Sequence, residues 1–354
     1  MAKIWLEILT PKQFWYFRKV GQLLKKRGHK IVYTLRRYEQ LDPFTGELQG
    51  DEFYVVGEFG GADIREKLKK SVERTALLLQ ILDEFDCAVS SGSPEAARIA
   101  YGLSVPHVLA SDTPESPVNR LAAPVSAKVA TPWIIGKRPW MRYGVRDGDV
   151  VLYRGLDPVA WVKNYTPDKS LLKQLGLEEK SYVLVRSPEY KASYLRGTSW
   201  SLEEYAKFVE KLAEKTSLRT VILPRYVDDA RALKTKLKNG ALVVENPVTN
   251  HHLLYFSTLL IGGGGTMTQE AALFGIPAVS IYPGKPPLVI RYLIDQKLVK
   301  KFKEPQQLLK NINKIIEDAS KNQERYRERA AKIVEKMEDP AEKVVAAVEA
   351  VTSG

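Results

Sequence analysis

Leu259-Leu260-Ile261-Gly262-Gly263-Gly264-Gly265-Thr266-Met267-Thr268-Gln269-Glu270-Ala271-Ala272-Leu273 decides how this chain is read. An apolar strand runs into four consecutive glycines, and a helix follows at once. Where the backbone turns there are no side chains, so N–H groups can close on an anion at the positive end of the helix. Glu270 lies four residues after Thr266 and shares a helix face with the loop mouth. A carboxylate one turn behind a phosphate loop is placed to accept hydrogen bonds from ribose hydroxyls. The stretch therefore reads as a nucleoside diphosphate site, with phosphates on the glycines and sugar on Glu270. The competing reading is a tight strand-to-helix connection with no ligand. No Gly-Lys-Ser/Thr follows the loop, and the spacing is not Gly-x-Gly-x-x-Gly in a first βαβ unit, so neither a P-loop nor a simple dehydrogenase fingerprint fits.

Composition bounds the rest. At 354 residues, 44% of them hydrophobic, the chain predicts two domains with real cores. No apolar run approaches the ~20 residues of a transmembrane helix. The opening Met-Ala-Lys-Ile-Trp-Leu-Glu is charged too early for a signal peptide, so a cytoplasmic protein is expected. Cys87 is the single cysteine, which excludes an intrachain disulfide and a Cys-based metal cluster. It opens an apolar strand and reads as a core residue. His29, His107, His251 and His252 show no metal-ligand spacing, and no metal or cofactor is expected. The formal net charge of +12 favours anionic partners: nucleotide sugars, phospholipid surfaces or RNA. Abundant Lys, Arg and Glu also suits a thermophile.

The chain alternates strand and helix signals in two similar halves, which implies parallel sheets with right-handed crossovers. Strands are expected over residues 3–8, 30–35, 52–56, 86–90, 106–110 and 125–130 in the first half. In the second they are expected over 182–186, 220–223, 242–245, 258–261 and 277–281. Ser201 is the expected N-cap of a helix over 201–215. Residues 157–168, rich in Pro, Asp and Asn, read as a linker. Residues 304–348 read as helical, with a break at Asp339-Pro340. Functional loops in such folds lie at the carboxyl ends of the strands.

Several of those loops carry candidate groups. Thr10-Pro11-Lys12-Gln13 follows the first strand. From there to Lys30 stand seven basic residues (Lys12, Arg18, Lys19, Lys25, Lys26, Arg27, Lys30) and no acidic one, with Phe14-Trp15-Tyr16-Phe17 among them. Basic residues with aromatics suit a membrane interface or a lipid-linked acceptor; the favoured alternative places the aromatics in the core. Gly92 and Ser93 leave room for a ligand at another strand end. Asp112 leaves a strand where a general base could project, with Glu115 as its backup; an Asx-type turn is the alternative. Arg186, Lys191 and Arg225 could neutralise a diphosphate without a metal. Asp147-Gly148-Asp149 matches an Asp-x-Asp metal pattern but reads as a turn.

The glycine loop, Thr-Pro-Lys-Gln, Ser-Gly-Ser-Pro-Glu-Ala-Ala-Arg, Ser-Asp-Thr-Pro and Lys-Ala-Ser-Tyr together resemble a mainly archaeal family of predicted glycosyltransferases. More distantly the chain is similar to the non-hydrolysing UDP-N-acetylglucosamine 2-epimerases and the lipid II-forming N-acetylglucosaminyltransferase. The resemblance implies an α/β glycosyltransferase-B fold of two facing Rossmann-like domains, with a last helix crossing back. It implies an acceptor domain over 1–163, a donor domain over 164–330 and the returning helix in 331–354. Gly263, Gly264, Gly265, Thr266 and Met267 would hold the diphosphate, Glu270 the ribose, and the loops near Arg225 and 248–253 the base. Thr10, Lys12, Gln13, Gly92 and Ser93 would face the acceptor, a lipid-linked glycan, a small molecule or RNA. The epimerases' His-Arg pair is Arg186-Ser187 here, and their acidic pair near 111–119 is not cleanly reproduced. Glycosyl transfer from a UDP-linked sugar is therefore favoured. Nucleotide-sugar epimerisation, RNA-directed transfer and a non-enzymatic binder with a degenerate cleft remain as alternatives.

Overall fold

A computed structural model describes the chain except residues 62, 188–200, 238–240, 246–247, 249–250 and 354. It divides into two units, Met1–Trp161 with Met337–Gly354, and Val162–Lys336.

Unit 1 is built on a seven-stranded, all-parallel sheet of order β3-β2-β1-β4-β5-β6-β7. Its strands are β1 (Lys3–Ile8), β2 (Lys30–Arg37), β3 (Glu52–Glu58), β4 (Cys87–Ser90), β5 (His107–Ala110), β6 (Lys128–Pro132) and β7 (Val150–Tyr153). The β1–β2 register pairs Lys3 with Lys30 through Ile8 with Leu35. Strand β4 is buried at every position, as a sheet covered on both faces requires. Helix Pro11–Lys26 begins on Thr10, whose hydroxyl accepts from the Gln13 amide at 3.4 Å, with Pro11 in the first turn where no amide is needed. Phe14, Tyr16 and Phe17 are buried and Trp15 is half-buried, so the aromatic run lies mostly in the core, as the favoured reading expected. Each such ring contributes roughly 1.5–3 kcal/mol by leaving water.

The last helix, Pro340–Thr352, belongs to this unit. Asp339 caps it, the Tyr16 hydroxyl donates to the Pro340 carbonyl at 3.3 Å, and Arg27 pairs with Glu342 and Glu349. The returning C-terminus thus completes the N-terminal core, and unit 1 is discontinuous in sequence.

Unit 2 carries a six-stranded parallel sheet of order β10-β9-β8-β11-β12-β13. These are β8 (Tyr182–Arg186), β9 (Arg219–Leu223), β10 (Ala241–Val243), β11 (Leu259–Gly262), β12 (Ala278–Ser280) and β13 (Val299–Lys301). Val183 and Val185, Leu259 and Ile261, and Val279 and Ile281 alternate onto one face, where they meet Phe208, Leu212, Leu308 and Ile312 of helices Leu202–Lys215 and Pro305–Lys321. Ser201 and Glu204 form a complete capping box on the first of these helices. The charged C-terminal segment breaks twice: at Asn322, where helix Pro305–Lys321 gives way to Gln323–Glu335, and again before Pro340.

Candidate functional site

In both sheets the strand order reverses at one point, between β1 and β4 in unit 1 and between β8 and β11 in unit 2. Loops at the carboxyl ends of such strands diverge and leave a crevice.

In unit 2, β11 ends at Gly262 and helix Thr266–Leu273 starts on Gly265. Gly264 sits at φ +76°, and a Cβ there would stand 2.8 Å from the Ser280 hydroxyl at the end of β12. Only glycine fits. Gly263 has open space where a Cβ would go, and Gly265 is exposed. Thr266 and Met267 are half-buried in the first turn. The loop thus presents amides at a helix start with no side chain in the way, which is the geometry of an anion site.

Glu270 lies one turn deeper and is 5% exposed. Its Oε1 is 3.0 Å from Nε2 of His251, itself buried, and Phe274 and Tyr165 pack on the imidazole. The histidine fixes the carboxylate beneath the glycines. The sequence placed Glu270 but not its partner, because His251 is nineteen positions away and lies outside any motif.

Arg186 ends β8, and its Nη1 donates to the carbonyls of Leu223 (3.2 Å) and Pro224 (2.7 Å). Arg225 donates from Nε to the Ser187 carbonyl at 3.2 Å and from its amide to the Ser187 hydroxyl at 2.9 Å. Its Nη2 lies 4.0 Å from where a Cβ of Gly265 would be. Both arginines are therefore tied down beside the glycine loop. Ser187 is 1% exposed and links the two strand ends. Lys191 lies outside the described residues.

In unit 1, the Gln13 amide closes the switch point: its Oε1 accepts from Leu9 N–H at 2.6 Å and its Nε2 donates to the Ser91 carbonyl at 3.2 Å. Gly92 sits at φ +79° against Asn119 and Val118. Ser93 caps helix Pro94–Gly102, accepting from the Ala96 amide at 3.1 Å. It is 1% exposed and its hydroxyl faces Glu7 and Glu95, so it is spent inside the protein. Thr10 likewise serves as a cap.

Lys12 is the centre of a buried polar cluster. Its Nζ is 2.7 Å from Asp112 Oδ1 and 2.7 Å from Asp157 Oδ2. Asp157 also receives a hydrogen bond from the Tyr153 hydroxyl. Burial opposes the charge on Lys12, but the two carboxylates more than offset it and hold the amine well above the ordinary lysine range. Burial pushes the Asp157 carboxyl up, against the pull of Lys12. Asp112 is 7% exposed and takes a hydrogen bond from the Thr113 hydroxyl at 2.9 Å. Glu115 is exposed.

The linker reading of 157–168 is corrected at its start, because Asp157 is 1% exposed in the core of unit 1. Its proline- and aspartate-rich surroundings signalled a turn and hid a core carboxylate.

A second buried network, Glu7–Arg74, packs beneath the same strand ends. Both residues are 1% exposed. Arg74 forks onto Glu7 and donates from Nε to the Val56 carbonyl at 2.7 Å, while Thr34 and Ser93 also donate to Glu7.

Three other groups are structural. His107 hydrogen-bonds Ser90 at 2.9 Å and Ser126 at 2.8 Å, and burial pushes its pKa down to about 4. Cys87 is buried and its thiol is pushed up to about 12 by burial. Asp147 and Asp149 form a turn and pair with Lys137 and Lys128. No cluster of three His, Cys, Asp or Glu suited to a metal occurs among the described residues.

The fold is shared with solved structures at low identity. The UDP-GlcNAc 2-epimerase from Neisseria meningitidis, bound to UDP-GlcNAc, has TM-score 0.72 at 16% identity, covering 99% of this chain and 100% of that one. Anabaena HepE in complex with UDP-glucose has TM-score 0.63 at 15% identity, covering 100% and 99%. These likenesses establish two Rossmann-like α/β domains of the glycosyltransferase-B type. In sequence, the chain is 27% identical over 301 residues to the Methanocaldococcus jannaschii protein "Uncharacterized protein MJ0665", covering 83% of this chain and 85% of that one. Residues 2–352 match the family described as "Protein of unknown function (DUF354)", and the chain belongs to that family.

Proposed function

We propose that this protein is a glycosyltransferase that takes its sugar, a hexosyl or N-acetylhexosaminyl group, from a UDP-linked donor held in unit 2. The observation that carries the reading is the open glycine loop at the start of helix Thr266–Leu273 with the His251–Glu270 pair buried behind it. The nucleotide sugar is a substrate; no cofactor is invoked. The structural relatives named above carry UDP-GlcNAc and UDP-glucose, which supports a UDP donor.

In this reading the amides of Gly263–Gly265 and the first turn bind the diphosphate. Glu270, oriented by His251, accepts from the ribose hydroxyls. Departure of the sugar leaves negative charge on the diphosphate, and the helix dipole with Arg225 and Arg186 stabilises it, a role that a metal ion fills in other enzymes. Acceptor deprotonation falls to Asp112, which Lys12 holds in place, with Glu115 as the exposed alternative.

The test is product analysis. The protein is incubated with UDP-sugars, with and without candidate acceptors, in the presence of EDTA. Acceptor-dependent UDP release that survives EDTA and is lost in Asp112→Asn supports transfer. A sugar inverted at C2 with no acceptor present would replace the reading with epimerisation.

A further inference from the structure

A cavity of about 580 Å³ lies in unit 2, sharing no lining residue with the glycine loop. One wall is the edge strand β13 and the turn before it, and the other is helix Gln323–Glu335 with the preceding Asn322. Asp318, the one carboxylate among the described lining residues, is already satisfied. Asp318 Oδ2 lies 2.7 Å from Lys300 Nζ and accepts from the Tyr326 hydroxyl at 3.1 Å, while Oδ1 accepts from Asn322 at 2.8 Å. Four further cations line the same space: Lys297, Lys301, Arg325 and Arg329.

Among the described residues none of these four makes an ion pair. Arg329 donates to the Lys297 carbonyl at 3.3 Å, and Lys301 donates to the Gly284 carbonyl. Four like charges around one concavity raise the local positive potential, which favours a multiply charged anion. The arginines offer forked donors that match phosphate oxygens. The rest of the lining is flat or apolar: Phe302, Tyr326, Ile294 and Val299. A volume of this size suits a small molecule.

We propose that this cavity is a second ligand site, separate from the glycine loop, that binds a small multiply phosphorylated molecule such as a nucleoside diphosphate. The phosphates sit on Arg325, Arg329, Lys297 and Lys301, and a planar group lies against Tyr326 or Phe302. The site stands whether or not the glycine loop binds a donor.

The test is calorimetric titration of the full-length protein with pyrophosphate, ADP and a single-stranded RNA oligomer, at two salt concentrations. The Gly264→Ala variant, whose added methyl closes the loop against Ser280, isolates the cavity from the glycine loop. Both pyrophosphate and ADP should bind that variant, and Arg325→Glu should weaken the binding at least tenfold. ADP binding tighter than pyrophosphate identifies a nucleotide; equal affinities identify a bare polyphosphate. Protection of Lys297 and Lys301 from acetylation by bound pyrophosphate, read by mass spectrometry on the unaltered chain, gives the same answer without a variant. No binding to Gly264→Ala, unchanged affinity in Arg325→Glu, or RNA binding with no response to either small anion would each overturn the proposal.

Discussion

The two sheets repeat one strand order, yet their switch points are finished in opposite ways. In unit 1 the polar groups are turned on each other. Lys12 bridges Asp112 and Asp157, Arg74 forks onto Glu7, and the Gln13 amide stitches one strand end to the next. In unit 2 the strand end carries glycines, a helix start and cations tied to backbone carbonyls, with the His251–Glu270 pair buried behind the loop. A buried ion pair is held at a desolvation cost that its partners only just offset, so it specifies geometry more than it adds stability. A bare amide loop costs little and waits for an anion. The same fold thus supplies a cross-linked polar floor in one unit and, in the proposed function, a phosphate seat in the other.

That contrast can be broken from the unit 1 side first. Arg74→Met should cost about 3–5 kcal/mol, because Glu7 would be left buried and charged; chemical denaturation reads it. A loss below 1 kcal/mol would show that water or another group relieves Glu7. The companion Glu7→Gln/Arg74→Met double variant should recover much of the loss.

The pH dependence of unit 1 comes next. His107 is held down to about 4, below the ordinary 6.5, because burial disfavours its charged form. As pH falls, the unfolded chain therefore takes up this proton first. The stability from His107 is complete above about pH 6.5, is lost between there and pH 4, and amounts to roughly 3 kcal/mol. Replacing it as His107→Gln should flatten that part of a stability-versus-pH curve; an unchanged curve would place the titration elsewhere.

On the unit 2 side, Gly264→Ala forces a side chain into a left-handed backbone and against Ser280. It should cost about 1–2 kcal/mol of stability. It should also abolish nucleotide binding. Gly263→Ala meets open space and should stay within about 0.5 kcal/mol in stability. Equal effects from the two would mean that the loop is not shaped for a ligand. Asp147→Ala, a surface turn change, should move nothing beyond about 0.5 kcal/mol.

Most of the architecture was legible because parallel strands here are short apolar runs punctuated by glycine, proline and capping residues. Ser201 caps as its position implies, whereas Thr10 and Ser93, marked as acceptor-facing, also prove to be caps. The short edge strand Val299–Lys301 was not legible, since three residues with two lysines carry no strand pattern. The site was half legible. Gly264 and Glu270 are marked by local spacing, whereas His251, Asp157 and Arg74 are joined to their partners only by the fold. Pairs separated by nineteen to 145 positions leave no local trace in one chain. Ser93 and Gln13 show the converse: residues marked as acceptor-facing by position are taken up by the protein's own backbone and carboxylates.

The most direct measurement is the affinity of the intact protein for UDP and UDP-sugars by calorimetry, with Glu270→Ala alongside. Binding that weakens by about 1–3 kcal/mol in the variant is expected from unpaired ribose hydroxyls. An affinity for UDP that is indifferent to Glu270→Ala, or no affinity for any UDP-linked sugar, would contradict the assignment of the glycine loop as the donor seat.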